Sequence, residues 1–335
     1  MLRLHSAAFL LCAVGLLAGT VPPAGSPAHA EPSGPAVEEA RVTLLGTGGG
    51  PSAKRTHSQP ATLLEAGGKA YLIDAGDGVV RQLASAGVQG PPIDAIFITH
   101  LHFDHTAGLP AFMALDLMGR RRAPVAVIGP PGTKDFVRDA AKLFESGADI
   151  FRRQQPELPP LSSLFVGRDI AIEEPTEVYR DSAIRVIAVA NSHYSTMPRH
   201  GRSALDRSYS YRIEAGSRTI VFTGDTGPSA AVENLARGAD VLVSEVIDLP
   251  AIVALLRQRN ATTLVDQSKL IAHMAEEHLT PTEVGKLAAR AGVKEVVLTH
   301  FAEPVDNDGD RNAMVTAVRK EFPGKVVAGR DLYRF

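Results

Sequence analysis

Residues 93–105 read IDAIFITHLHFDH, an apolar run that passes straight into a cluster of histidines. IDAIFIT is a nearly unbroken apolar run rich in Ile and Phe, which suits a strand buried on both faces of a parallel sheet. HLHFDH then sets His100, His102, Asp104 and His105 within six residues, directly beyond the strand. A lone histidine at a strand end is usually a hydrogen-bonded loop residue. Clustered imidazoles beside a carboxylate are different, because they repel when protonated and their neutral forms suit a divalent ion such as Zn²⁺. One short segment cannot wrap all four donors around one ion, but alternate residues can face two ions.

Similar apolar runs lie on both sides. RVTLLGTGGG, from Arg41, is a strand entering a glycine turn, and ATLLEA and KAYLIDAG form a hairpin through Gly67-Gly68. PVAVIGP, AIRVIAVA, SYSYRIEA, RTIVFTG, ADVLVSEV, KEVVLTH and KVVAG are further strands. Helices are predicted over 78–87, 106–119, 133–146 with Thr133 as a cap, 230–237, 249–277, 281–292 capped by Thr280, and 311–321. Residues 147–165, with Arg152, Arg153 and three prolines, read as an irregular insertion. Strands and helices alternate throughout, so residues 41–335 are predicted to be one layered α/β domain.

The other donors follow strands in the same way. His193 follows AIRVIAVA, Asp225 follows RTIVFTG, and His300 ends KEVVLTH. Open α/β sheets place their sites beyond the carboxyl ends of strands. Asp74, at the end of YLID, is positioned to orient a ligand histidine.

HLHFDH followed in order by His193, Asp225 and His300 resembles the metallo-β-lactamase fold superfamily over nearly all of residues 41–335. The resemblance implies a four-layer αββα sandwich holding two divalent metal ions, with zinc expected. It assigns His100, His102 and His193 to the first ion, Asp104, His105 and His300 to the second, and Asp225 to a bridge. Class B β-lactamases usually carry a cysteine ligand, whereas the sole cysteine here is Cys12. The iron oxidoreductase branch has Glu where His102 stands. Hydrolysis is therefore the implied chemistry.

Three segments resemble the tRNase Z branch of phosphodiesterases: LLGTGGGPSAKRTHS, SYSYRIEAGSRTIVFTGDTGPS, and ADVLVSEV together with EEHLTPTEVGKLAARAGVKEVVLTHF. The correspondence implies catalytic roles for His278 and Glu245 beside Asp104, with Glu245 orienting His278 near the leaving group. His57, in the KRTHS loop, is a candidate substrate contact. That branch grips tRNA with a long basic, glycine-rich arm between the positions of His193 and Asp225. Only 31 residues separate the two here, filled by two strands and a turn. The expected function is therefore a dinuclear phosphodiesterase acting on a small or extracellular diester. The alternative is an arylsulfatase or lactonase on the same scaffold. The insertion at 147–165 is expected to wall the site, with Arg152 and Arg153 toward an anionic substrate.

The N-terminus gives an address. Arg3, an apolar core from Ala7 to Gly19 and Ala28-His29-Ala30 have the layout of a cleavable export signal with the cut after Ala30. The apolar core is too short to span a bilayer comfortably. The layout is then signal 1–30, leader 31–40 and hydrolase domain 41–335, in a periplasm or outside the cell. The 335 residues carry 44% hydrophobic and 21% charged side chains with net charge −2, which excludes disorder, a coiled coil and a strongly basic nucleic-acid binder. The expected partner is a small-molecule ester or phosphodiester rather than a nucleic acid, with no membrane contact after signal removal. Self-association as a homodimer is left open.

Overall fold

The computed structural model describes residues 39–335 apart from 89–92, 120, 197–202, 261–267 and 306. The signal and most of the leader lie outside the described residues.

Two sheets carry the fold. The first contains β1 (Arg41–Gly46), β2 (Ala61–Ala66), β3 (Lys69–Ile73), β4 (Ile93–Phe97), β5 (Val125–Gly129) and β6 (Phe165–Asp169), in that spatial order. The second runs β13-β12-β11-β10-β9-β8-β7. These strands are β7 (Thr176–Arg180), β8 (Ile184–Ala190), β9 (Tyr209–Ala215), β10 (Arg218–Phe222), β11 (Val241–Val246), β12 (Glu295–Phe301) and β13 (Lys325–Ala328). Each sheet is antiparallel at the end that begins it in sequence and parallel at the other. The parallel strands other than β6 are the ones read as apolar runs, because helices cover their outer face and the other sheet covers their inner face.

Strand periodicity sorts the core into three layers. On β4, Phe97 points inward to a cluster shared by both sheets with Leu44, Tyr71, Val186, Tyr211 and Val243. Its neighbours Ile96 and Ile98 point outward beneath α1 (Val79–Ser85), α3 (Leu109–Met118) and α4 (Thr133–Leu143). On β12, Val297 points inward while Val296 and Leu298 pack under α7 (Ala230–Ala236), α10 (Pro281–Ala291) and α11 (Asp308–Arg319). This is the αββα sandwich.

Several boundaries differ from the sequence reading. The helix expected over 106–119 is split into α2 (Phe103–Thr106) and α3. The break falls at Gly108, where a Cβ would lie 2.1 Å from the Gly76 carbonyl oxygen. Thr133 opens α4 rather than capping it; Gly132 is the cap, and the Thr133 hydroxyl donates to the Pro130 carbonyl at 2.7 Å. Residues 147–165 are largely ordered as helix in α5 (Glu145–Gln154) and α6 (Leu161–Leu164). The stretch 249–277 is two helices, α8 (Leu249–Asn260) and α9 (Ser268–Glu277). Thr280 caps α10 as expected, in a reciprocal box with Glu283. Strands β6 and β7 were not anticipated, because their edge positions leave Val166, Arg168, Asp169, Thr176, Glu177 and Arg180 exposed and remove the apolar signal.

One carboxylate ties the two sheets together at their margin. Asp181, just after β7, accepts hydrogen bonds from Lys69 Nζ at 3.0 Å and Tyr71 Oη at 2.8 Å on the first sheet. It also accepts from Tyr179 Oη at 3.0 Å and from the backbone N–H groups of Ala183 and Ile184 on the second. Burial works against its charge, yet these donors hold it well below the usual carboxylate range. A depressed folded-state pKa contributes stability that is present above the unfolded value of about 3.9 and lost as the pH falls through the folded one. We predict that Asp181→Asn lowers unfolding free energy by roughly 1.5–3 kcal/mol at pH 7. The gap from wild type should narrow below about pH 4. Urea titrations across pH 3–7 measure both; a gap independent of pH contradicts the clamp.

Candidate metal centre

The strand ends deliver the donors. His100 and His102 follow β4, Asp104 and His105 lie on the single turn α2, His193 follows β8, Asp225 follows β10, and His300 is the penultimate residue of β12. Their ligating atoms gather into mutually close groups. His100, His102, His193 and Asp225 form one, and Asp104, His105 and His300 form another; within each, all atoms lie within 4.8 Å of one another. Asp225 stands between the two groups. Its carboxylate oxygens are 3.8 Å from His100 Nε2, 3.4 Å from His105 Nε2 and 3.2 Å from His300 Nε2. All seven positions singled out in the sequence are thus brought together.

Hydrogen bonds outside the cluster aim the rings. Asp74 Oδ2 is 2.8 Å from His105 Nδ1, and its two oxygens also take the N–H and hydroxyl of Thr99. This is the orienting role expected of Asp74, and it leaves His105 Nε2 facing the cluster. The Glu277 carbonyl oxygen does the same for His193 Nδ1 at 3.1 Å. Asp104 Oδ2 accepts the Gly50 N–H at 2.8 Å, a contact that requires glycine, since a Cβ there would lie 2.7 Å from the same oxygen. Asp74 and His300 have φ of 58° and 55°, in the left-handed region that costs of order 1–3 kcal/mol for a non-glycine residue. Such strain persists where surrounding contacts over-determine it.

The electrostatics divide the cluster. Burial, together with the nearby His105 and His193 rings, pushes His100 well below the usual imidazole range. Burial also lowers His102, and lowers His193 to about 3. His105 and His300 go the other way. Burial resists their charge, but the carboxylates of Asp225 and Asp104 outweigh it, assisted at His105 by Asp74, and raise His300 to about 10. Asp104 and Asp225 are in turn held below the carboxylate range by these imidazoles, against the effect of burial.

The donor set fits a divalent cation. His100 Nε2, His105 Nε2 and Asp225 Oδ1 are buried and make no hydrogen bond among the described residues. Three inward-facing orphan donors of nitrogen and oxygen type are expensive unless a cation binds them.

Glu245 and His278 lie beside this cluster. Glu245 is fixed by the Thr226 N–H at 2.5 Å on one oxygen and faces His278 Nδ1 at 2.7 Å with the other. Burial pushes Glu245 upward. His278 is raised against its own burial by the Glu245 carboxylate. The His278 ring lies nearly parallel to that of His300, with centroids 6.0 Å apart, and it is within ligand reach of Asp225 and His300.

A cavity of about 270 Å³ opens over the donors, lined in part by His102, Asp104, Asp225, His278 and His300. The segment 147–165 does not wall it. Helix α5 packs against α3 and α4 on the outer face of the first sheet, where Arg152 bonds Asp149 and the Leu158 carbonyl. Neither Arg152 nor Arg153 lines the cavity. Helix α9 forms that wall instead, through Leu270, His273 and Met274. His57 also falls outside the lining, contacting Arg311 and standing 3.7 Å from Asp331. His273 escaped the sequence reading. Its Nδ1 lies 2.5 Å from Glu277 Oε2, an i,i+4 pair that the helix spacing alone would have flagged.

Comparison with known proteins agrees with this geometry. A family model described as a β-lactamase superfamily domain matches residues 69–301. Ribonuclease Z of Mycobacterium bovis (strain BCG / Pasteur 1173P2) is 30% identical over 304 residues, covering 88% of this chain and 96% of that protein. Ribonuclease Z of Mycobacterium sp. (strain KMS) is 32% identical over 307 residues, covering 88% and 94%. Among solved structures, the short form of human tRNase Z superimposes with a TM-score of 0.61 at 22% identity, covering 88% of this chain and 98% of that one. The metallo-β-lactamase fold protein YhfI from Bacillus subtilis superimposes with a TM-score of 0.60 at 19% identity, covering 89% and 100%. The chain belongs to the β-lactamase superfamily and, within it, to the ribonuclease Z-like metal-dependent hydrolases.

Proposed function

We propose that this chain is an exported phosphodiesterase that uses two divalent ions, zinc by preference, on a small or extracellular diester. The observation that carries the reading is the Glu245–His278 pair, 2.7 Å apart and set beside the Asp225 and His300 donors. His100, His102 and His193 would hold one ion, Asp104, His105 and His300 the other, and Asp225 both. Bound there, the ions supply Lewis acidity toward the ester oxygens and a water of lowered pKa. His278 holds a proton at its outward ring nitrogen while Glu245 fixes the other nitrogen, so a departing alkoxide can be protonated as it leaves. Asp74 and the Glu277 carbonyl keep the donor rings aimed.

The relatives' name attaches RNA to this branch. Here the 31 residues between His193 and Asp225 include the strands β9 and β10, which lie within the second sheet. That leaves little chain for a projecting tRNA-holding arm, and net charge −2 offers little long-range attraction to a polyanion. Turnover of bis-aryl phosphate, aryl sulfate, a lactone and precursor tRNA by the metal-loaded protein tests the choice. Efficient, salt-sensitive tRNA cleavage overturns the small-diester reading, and sulfate or lactone preference replaces it with the other ester classes.

Export is part of the proposal. The protein recovered from a periplasm or medium should begin at Glu31, and N-terminal sequencing that finds Met1 contradicts it.

Elemental analysis of purified protein should give close to two metal ions per chain. Asp225→Ala should lose both, since this side chain alone serves the two donor groups. Retention of two ions by that variant removes the bridge.

His278→Ala should keep both ions and lose roughly 10²–10⁴-fold in rate with poor leaving groups. With nitrophenolate, which departs without a proton, the loss should be small. Glu245→Gln should follow the same trend more weakly. A leaving-group series on the three proteins measures this. An equal loss along the series, or loss of metal from His278→Ala, returns His278 to a structural or ligand role.

A further inference from the structure

The cavity above the donor cluster has two unlike sides. The floor is made of imidazoles and carboxylates. The rim carries Phe103, Leu270 and Met274, with Pro51 and Ala302 beside them. Phe103 stands between His102 and Asp104 in sequence and opens the single turn α2. Its side chain is nevertheless 87% exposed. Leu270, on α9, is 44% exposed. Leu270, His273 and Met274 follow the i, i+3, i+4 spacing that puts three side chains on one helix face, and all three line the cavity. Met274 does not hang free; it rests on a small apolar cluster of Ile247, Ile252 and Ala302 that stands apart from the main core. Among the described residues of the cavity wall there is no lysine or arginine.

We infer that the site selects an ester bearing an aryl or similarly flat apolar substituent, received between Phe103 on one side and Leu270 and Met274 on the other. The inference rests on the reading of the site as an ester hydrolase and names its substrate class. A ligand of this kind has one charged group for the donor floor and an apolar body for the rim. A ring can stack on Phe103 and meet the Met274 thioether, contacts that favour an aromatic group over an alkyl one of similar size. A cavity of about 270 Å³ suits a small molecule. A polynucleotide would present phosphates to the same rim and find no lysine or arginine there among the described residues.

The test is binding, with turnover measured separately on the same preparation. Phenylphosphonate and methylphosphonate are titrated calorimetrically into the zinc-loaded full chain. Wild type should bind the phenyl compound about tenfold more tightly, the discrimination expected of a modest apolar subsite. Phe103→Ser and Leu270→Ser should each reduce that ratio by threefold or more, with metal content measured to exclude damage to the donor cluster. Leu270→Ser guards against a folding failure at Phe103, since it lies on a different element. Equal affinity for the two compounds, no binding of either, or a ratio unmoved in both variants overturns the inference. If the ratio is as expected but bis-aryl phosphate is not turned over, the phosphodiester reading fails while the aryl preference stands. If the diester is turned over and the ratio is one, the aryl preference fails and the phosphodiester reading stands.

Discussion

Asp225 is a buried carboxylate within 3.2–3.8 Å of three imidazole nitrogens, two from the HLHFDH segment and one from the end of β12. Packing so many polar atoms into a dry volume is costly unless a cation collects them. Everything around the centre works to hold the donors in place despite that cost. Asp74 and the Glu277 carbonyl fix ring orientation from behind, and the Gly50 N–H fixes Asp104. The strained backbone at Asp74 is held by its N–H to the Phe97 carbonyl and by its carboxylate to Thr99, and that at His300 falls at a register shift between β11 and β12 beside Phe301, which is bonded to Thr47 and Gly49.

The two sheets supply the rigidity that such a centre needs. Donors come from the ends of strands in both sheets, so the inner apolar layer sets the distance between the two halves of the site. The chain also closes on itself. Residues 332–335 hydrogen-bond along β1, and Asp331 binds Thr47, the Ser58 N–H and Gln82. That carboxylate anchors both ends of the 47–58 loop, whose glycines approach Asp104 and His300. A residue four places from the C-terminus therefore steadies a loop near the start of the described chain.

Helix α9 links positioning to recognition. One end of it carries Glu277, which holds His193 through its carbonyl and Thr196 through its side chain. The same helix turns Leu270, His273 and Met274 toward the cavity. A shift of this helix would alter metal-site geometry and cavity shape together, so the two are coupled through one rigid element.

The residue pattern alone gave a layered α/β core and the seven donor candidates, and the resemblance they carry implied the four-layer sandwich. Buried parallel strands must be apolar throughout, and polar donors directly after them stand out against that background. Capping at Thr280 was legible for a similarly local reason, since the box with Glu283 lies within four residues. The short edge strand β7 was not legible, because an exposed edge carries no apolar pattern. Nor were the roles of Asp181 and Asp331, since Lys69 and Tyr71 for the first and Thr47 for the second lie more than a hundred residues away in sequence. The wall of the cavity was assigned to residues 147–165, where proline and arginine drew attention, while only packing placed that segment on the outer face and brought α9 to the site. Local chemistry announces which side chains can bind a cation; which surface covers them depends on how distant elements pack, and that is decided only in three dimensions.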